Sequence, residues 1–531
     1  MVRRTNDILD EGTQRTKGVD AFTSNIEAAK AVSEIVKTTL GPMGMDKMLI
    51  DSMGNTVITN DGVKILKEME IEHPGAKLIV EVAKTQESEV GDGTTTAVIL
   101  TGELLSKAQE LMKQKIHPTT IIRSYKLSSE KALEILNENS VKIDLEDKKK
   151  LKEICETAMT GKVAEFSKDI LSEIVFQTAQ KVKDENGISK KKIKMQKSIG
   201  GDTRESFIVN GIVLDKNPAN PNMPTKIKEG KILLVDFPLE IKELESDAKI
   251  NLNSLQEYED FMKSEQEYLK EMVVKIKQIG ANVVICQKGI DDSVAYYLAK
   301  ENILAVRRCR KSDLEKLSFA LGKKIVSNYE DVNKENLGYA KEIEVKEILN
   351  ENYIFVKDCA NPKAVTIFLK ASSSHFLDEI ERAVEDALGD INSIIKSRKI
   401  VAGGGAIEIE LYRKLIEFSK TFSGKEQLII KAFAESFLIV PKVLCENSGF
   451  EEIDIITKLI SMHETGKKYS GINGFSGILE DTMTKGIIEP GNVKSQAIKS
   501  ATESCSMILK IDDIIAAKRL SEQNLYKNDF E

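Results

Sequence analysis

The sequence predicts a multidomain α+β protein in which a mostly helical body is split by an inserted α/β domain. Three observations lead there. The chain has 531 residues, too many for one compact domain at about 100–200 residues each. Apolar residues at helical spacing run from residue 26 to about 137, and helices return from 379 to 509. Between these stretches, from about residue 207, lie short β-rich runs separated by helical segments.

Each element has a local reason. The first helix, 26–40, stops at Gly41-Pro42, because proline cannot continue a helix interior. A hairpin follows, 48–50 and 56–59 around a turn at 52–55, and Asn60-Asp61-Gly62 breaks it. Pro74 opens a helix to about 88, a first-turn position that proline tolerates. Gly91-Asp92-Gly93 ends it, and Thr94 starts another helix to 112. Pro118 opens one more, to about 137. The β-rich runs are 207–214, 231–235, 282–286, 303–306, 353–356 and 364–369, with helices at 291–301 and 311–321. Four of the ten prolines (218, 221, 224 and 238) mark irregular chain at the entrance of this region. Helices at 379–395, 406–418, 426–446 and 492–509 complete the body. Both chain ends are expected in that one body. The stretch 255–276 is amphipathic over about six turns, suiting either packing in its own domain or a protruding arm.

Composition narrows the function. The net charge of -7 (77 Lys+Arg, 84 Asp+Glu) argues against a dedicated nucleic-acid binder, and aromatics are 5% with no Trp. The six cysteines show no CxxC pair, so neither a disulfide framework nor a zinc site is expected. The four histidines, 73, 117, 375 and 463, lack metal-ligand spacing and are expected to be structural. Without a signal-peptide core or a membrane-length apolar stretch, a soluble cytoplasmic protein is expected.

The chemistry concentrates in short segments. In Gly91-Asp92-Gly93-Thr94-Thr95-Thr96 the glycines let backbone approach a ligand, and the helix starting at the threonines aims free N–H groups at an anion. Asp92 offers Mg²⁺ a hard oxygen; an Asx turn with threonine caps suits the same residues. No Walker A pattern occurs. Gly403-Gly404-Gly405 before a helix is a second possible phosphate or ribose cradle. Taken alone, Thr39-Leu40-Gly41-Pro42 reads as a helix stop, Asn60-Asp61-Gly62 as a turn and Lys162 after Thr160-Gly161 as a surface lysine. Asp386 alone reads as the solvated face of a helix, and 148–150 and 190–192 as solvated charge.

Together these segments resemble the group II chaperonins, the archaeal thermosome and its eukaryotic cytosolic relatives. The resemblance rests on TTLGPMGMDKML (38–49), TNDGVKILKEM (59–69), AKTQESEVGDGTTTAV (83–98) and TAMTGK (157–162). It continues through NVVICQKGIDD (282–292), LAVRRCRKSDLEKL (304–317), VAGGGAIEIEL (401–411), GIIEPGNVKSQAI (486–498) and LKIDDIIAAK (509–518). TAMTGK and the 282–317 region look archaeal.

The resemblance implies the chaperonin fold, in three domains. The equatorial ATPase domain would take residues 1–145 and 403–531, and a small α/β intermediate domain 146–213 and 364–402. An α/β apical substrate domain would take 214–363, with a helical protrusion at about 243–277 acting as a built-in lid. It implies two stacked rings of eight or nine subunits, homo- or hetero-oligomeric, which bind non-native polypeptides and enclose them on ATP hydrolysis. ATP or ADP and Mg²⁺ are the implied ligands, with K⁺ left open as a further ion. Asp92 would ligate the metal; Gly93, Thr94, Thr95 and Thr96 would cradle the phosphates, with Leu40, Gly41 and Pro42 closing over them. Gly404 and Gly405 would line the ribose side, and Glu489 would hold the ribose hydroxyls. Asn473, Gly474, Phe475 and Lys494 would lie near the base. Lys162, after Thr160 and Gly161, would touch the γ-phosphate, and Asp61 and Asp386 would orient or deprotonate the attacking water.

Two departures stand out. Met43 replaces a Lys or Arg common in relatives, and the chain ends EQNLYKNDFE rather than in a Gly/Met-rich tail. A non-hydrolysing assembly scaffold is disfavoured by the presence of Asp61, Asp92, Lys162 and Asp386 together. A small-molecule Mg-ATP phosphotransferase fits the split helical body and the long amphipathic stretch poorly.

Overall fold

The computed structural model describes residues 14–50, 53–184, 187–241, 255–349, 351–360 and 364–516. The tail at 522–531 and the 243–254 part of the expected protrusion lie outside them. The described chain forms two compact units, one of residues 1–165 with 385–531, the other of residues 166–384.

The first unit is a helical body. Helices Val19–Lys37, Pro74–Glu89, Thr94–Lys113, Pro118–Asn139, Ala406–Ser419, Gly424–Ser436 and Gly491–Ile508 supply most of its faces. Their apolar sides merge into one core holding Ile26, Ile79, Leu104, Tyr125, Phe433 and Ile508. Segments distant in sequence thus share one interior. The described chain ends are also joined: Gln14–Lys17 pairs antiparallel with Asp513–Ala516, Gln14 opposite Ala516. The hairpin Lys47–Ile50 and Thr56–Thr59 pairs Lys47 with Thr59. Pro74 and Pro118 both stand at helix starts, where His73 and His117 accept from the N–H groups of Gly75 and Thr119.

The expected single helix 426–446 is two, Gly424–Ser436 and Ile439–Asn447. Pro441 explains the break: the ladder restarts so that its missing N–H falls in a first turn. Helices Lys148–Met159, Lys168–Val182 and Glu452–Glu464 were not expected. Lys148 to Lys150 form the first turn of one of them, behind an Asp147 cap.

Among its described residues the second unit holds two larger sheets, besides the short pairing of Lys183–Asp184 with Gly187–Ile188. Six strands run in the order Leu304–Val306, Val283–Cys286, Lys226–Val235, Gly338–Ile348, Glu351–Cys359 and Gly211–Asp215. The first three are parallel and the rest antiparallel. In the smaller sheet Val365–Ala371 lies between Ile193–Ile199, parallel, and Phe207–Val209, antiparallel. The expected strand 207–214 therefore divides between two sheets. Gly211 makes this possible: its φ is 137°, and a Cβ there would stand 1.9 Å from the Val356 carbonyl oxygen. Helix Leu255–Gln278 is present, and Leu269, Met272, Val273 and Ile276 pack into this unit's core.

Candidate functional site

All the residues proposed to bind nucleotide lie in the first unit. Their placement follows from glycines that let loops touch. Gly93 caps helix Thr94–Lys113 in the left-handed region, φ 75°, and no side chain caps the first N–H groups of that helix. A Cβ there would stand 2.5 Å from Val493 Cγ1. The buried Gln86 amide donates to the carbonyls of Asp92 (2.9 Å) and Val493 (3.1 Å), fixing the loop against the start of helix Gly491–Ile508.

Asp61 caps helix Gly62–Glu68, accepting from the N–H groups of Val63 (3.2 Å) and Lys64 (3.3 Å). The backbone of Gly62 abuts Thr95. The Asn60 side chain donates to the Gly161 carbonyl at 2.9 Å, drawing in the loop that carries Lys162. Gly161, φ 77°, packs on Gly41 and Pro42, and the Pro42 ring in turn packs on Gly474. Asn447 holds the Leu40 carbonyl at 2.8 Å. Ile472 N–H donates to the Gly404 carbonyl at 2.8 Å, which seats the 470–475 segment on the triple-glycine loop. The loops that carry these residues therefore form one continuous circuit.

Charge is distributed unevenly around it. Lys162 Nζ lies 2.5 Å from Asp386 Oδ2, with side chains 20% and 22% exposed. Neither the surface lysine nor the solvated aspartate read from local sequence is found. Burial pushes the Asp386 pKa up to about 7; Lys162 opposes the shift, and Asp92 and Asp61 add to it. Burial disfavours charge on Lys162 too, but Asp386 and Asp92 together hold its pKa above the ordinary value.

A second buried group adjoins the glycine loop. Lys494, 7% exposed, lies 2.8 Å from both Glu408 Oε1 and Glu489 Oε2. Strand pairing of Val401 with Glu489 sets the register, and Glu489 also packs on Gly403. Burial raises the pKa of Glu489 against Lys494, with Glu408 adding to the rise. Lys494, expected near the base, is committed to these carboxylates. Asn473 bonds Glu480 at 2.8 Å and accepts from Phe475 N–H at 3.1 Å, leaving the Phe475 ring exposed.

Residue-level reading missed Gln86, Glu408 and Asp390. Gln86 lies in the TQESEVGDGTTT run, the one signal available for it. Asp390 is 2% exposed and its Oδ1 has no hydrogen-bond partner. Burial pushes its pKa well above the ordinary value, reinforced by Asp92, Glu489 and Asp386. Among the described residues, no three Asp, Glu, His or Cys side chains converge closely enough to chelate a metal alone. The hard carboxylate oxygens nevertheless suit Mg²⁺, which takes one or two carboxylates and completes its shell with phosphate and water.

The six cysteines are free and buried, and no described helix is long and apolar enough to cross a membrane. His463 is buried, facing Glu410 at 3.1 Å and the Ser470 carbonyl at 2.8 Å, a structural placement.

A family model described as the TCP-1/cpn60 chaperonin family matches residues 32–519. The chain belongs to the TCP-1/cpn60 chaperonin family. Within it, this chaperonin is of the group II, thermosome type, an ATP-dependent chaperone. It is 50% identical to a thermosome subunit of Methanopyrus kandleri over 97% of this chain and 95% of the relative. It is 49% identical to thermosome subunit alpha of Archaeoglobus fulgidus, at the same coverage of both chains. A thermosome subunit of Pyrococcus horikoshii is also 49% identical, again over 97% and 95%. The chaperonin multidomain α+β fold agrees with the helical body and sheet-bearing unit described above.

Proposed function

We propose that this chaperonin hydrolyses ATP at the circuit described above and uses the cycle to enclose and release non-native polypeptides in a double ring. The observation that carries this is the Lys162–Asp386 pair, electrostatically coupled to Asp61 and Asp92 beside a free helix N-terminus. The N–H groups of Thr94 to Thr96, which no side chain caps, receive phosphate oxygens, with Asp92 and Asp61 alongside. Asp92 is the metal ligand on this reading. Bound Mg²⁺ supplies neutralisation of phosphate charge. The chain's own residues do the rest. Lys162 transfers its N–H contacts from Asp386 to the γ-phosphate. Asp386 is thereby freed to accept a proton from the attacking water, which Asp61 orients. Glu489 faces the ribose side, its charge balanced by Lys494.

The equatorial, intermediate and apical division suits a gated cycle. Helix Ser374–Ser397 runs through both compact units and carries Asp386. Movement of the intermediate domain would regulate hydrolysis through that residue. Helix Leu255–Gln278 belongs to the lid-forming protrusion. The partners are other chaperonin subunits, in rings of eight or nine, within the cytoplasm.

Native mass of the purified chain, together with phosphate release by wild type and Asp386→Ala, tests the proposal. A double-ring mass with hydrolysis lost in the variant supports it. Turnover that survives Asp386→Ala refutes the assignment.

A further inference from the structure

Asp390 has no role in the mechanism above, yet it is placed as a working residue. It follows Asp386 by one helical turn, so both lie on one face of helix Ser374–Ser397. That face meets the metal-binding loop directly. A Cβ at Gly389 would stand 3.0 Å from Gly91 Cα, and the Ser393 hydroxyl donates to the Val90 carbonyl at 3.3 Å. Asp390 is 2% exposed, its Oδ1 is unpartnered, and its strongest charged neighbours are Asp92, Glu489 and Asp386. A buried carboxyl among like charges is costly unless it is protonated or a cation compensates it. Lys162 supplies the positive charge nearby and is already taken by Asp386.

We propose that Asp390 is a second carboxylate anchor, direct or through water, for the divalent cation that Asp92 ligates. The proposal rests on the metal reading given under Proposed function. It accounts for the unpartnered oxygen and for the lack of a three-residue chelate among the described residues: two carboxylates, phosphate and water complete a magnesium shell. A supporting carboxylate of this kind is typically worth about 10–100-fold in metal affinity.

The test measures how far Mn²⁺ tightens ADP binding. Calorimetric affinities for ADP in EDTA and at saturating Mn²⁺ are compared for wild type, Asp390→Asn, Asp390→Ser and Asp92→Asn. Both Asp390 variants should keep their EDTA affinity within about twofold and lose about tenfold of the Mn²⁺-dependent gain. Circular dichroism checks that they are folded. An equal loss in EDTA and in Mn²⁺ overturns the proposal, because a merely structural defect affects both. A full Mn²⁺ gain in both Asp390 variants, with Asp92→Asn losing it, overturns the Asp390 inference alone. If Asp92→Asn also keeps the gain, the underlying metal reading fails with it.

Discussion

Replacing Lys494 by Met removes one buried cation and leaves two carboxylates facing each other. The side chains of Glu408 and Glu489 are 4% and 24% exposed, each 2.8 Å from the lysine nitrogen. Breaking a buried pair by deleting one partner costs about 3–5 kcal/mol. Glu408 keeps almost no water to offset the loss, whereas Glu489 keeps some, so about 4 kcal/mol is expected. With a urea slope of about 3 kcal/mol/M, the transition of the helical unit should move down by about 1.3 M. Intrinsic fluorescence of tyrosine and far-ultraviolet circular dichroism follow it. The pH dependence is specific. The Glu489 pKa is already raised in the folded protein, and losing Lys494 raises it further. A carboxyl raised on folding contributes stability below its unfolded value, near pH 4.3, and loses it as pH climbs through the folded value. The variant's deficit should therefore be smaller at about pH 5 than at about pH 8. A midpoint within about 0.2 M of wild type, or a deficit independent of pH, would refute the reasoning.

Three further outcomes are expected. Hydrolysis should fall as pH drops through about 7, because protonated Asp386 accepts no proton; Asp386→Asn should lose about 10²–10⁴-fold in turnover while the acid limb disappears. Gly93→Ala should cost about 1–2 kcal/mol for its positive φ and, because its Cβ would stand 2.5 Å from Val493, weaken ADP binding measured by calorimetry. Gln86→Leu strands the Asp92 and Val493 carbonyls, so thermal scans should show a loss of about 1–3 kcal/mol together with weaker ADP binding.

The legible parts of this fold were those with local causes. Proline at 74 and 118 and glycine at 91 and 93 mark helix boundaries that propensity alone decides. Strand partnership was not legible: 207–214 reads as one run because nothing local says that Gly211 meets Val356 in the six-stranded sheet while 207–209 joins the smaller one. Pro441 signalled a break, but the strong apolar spacing around it obscured that signal. In the site, Gly91 to Thr96 carry their chemistry in one short motif. The grouping of Glu408, Glu489 and Lys494 depends on a strand register. Asp390 looks like any helical aspartate until burial and three neighbouring carboxylates are known.

The division of the helical unit between two distant stretches has a consequence during synthesis. Its core draws Ile26, Leu104 and Tyr125 from the early stretch and Val401, Leu411, Phe433 and Ile508 from the late one. Residues 166–384, made in between, form a compact unit with an interior of their own. At about 5–20 residues per second, the early helices wait roughly 10–40 s for partners while their apolar faces stand in water. The chain thus passes through an incomplete and exposed condition of its own on the ribosome, which ends only when the late helices arrive to cover the early ones.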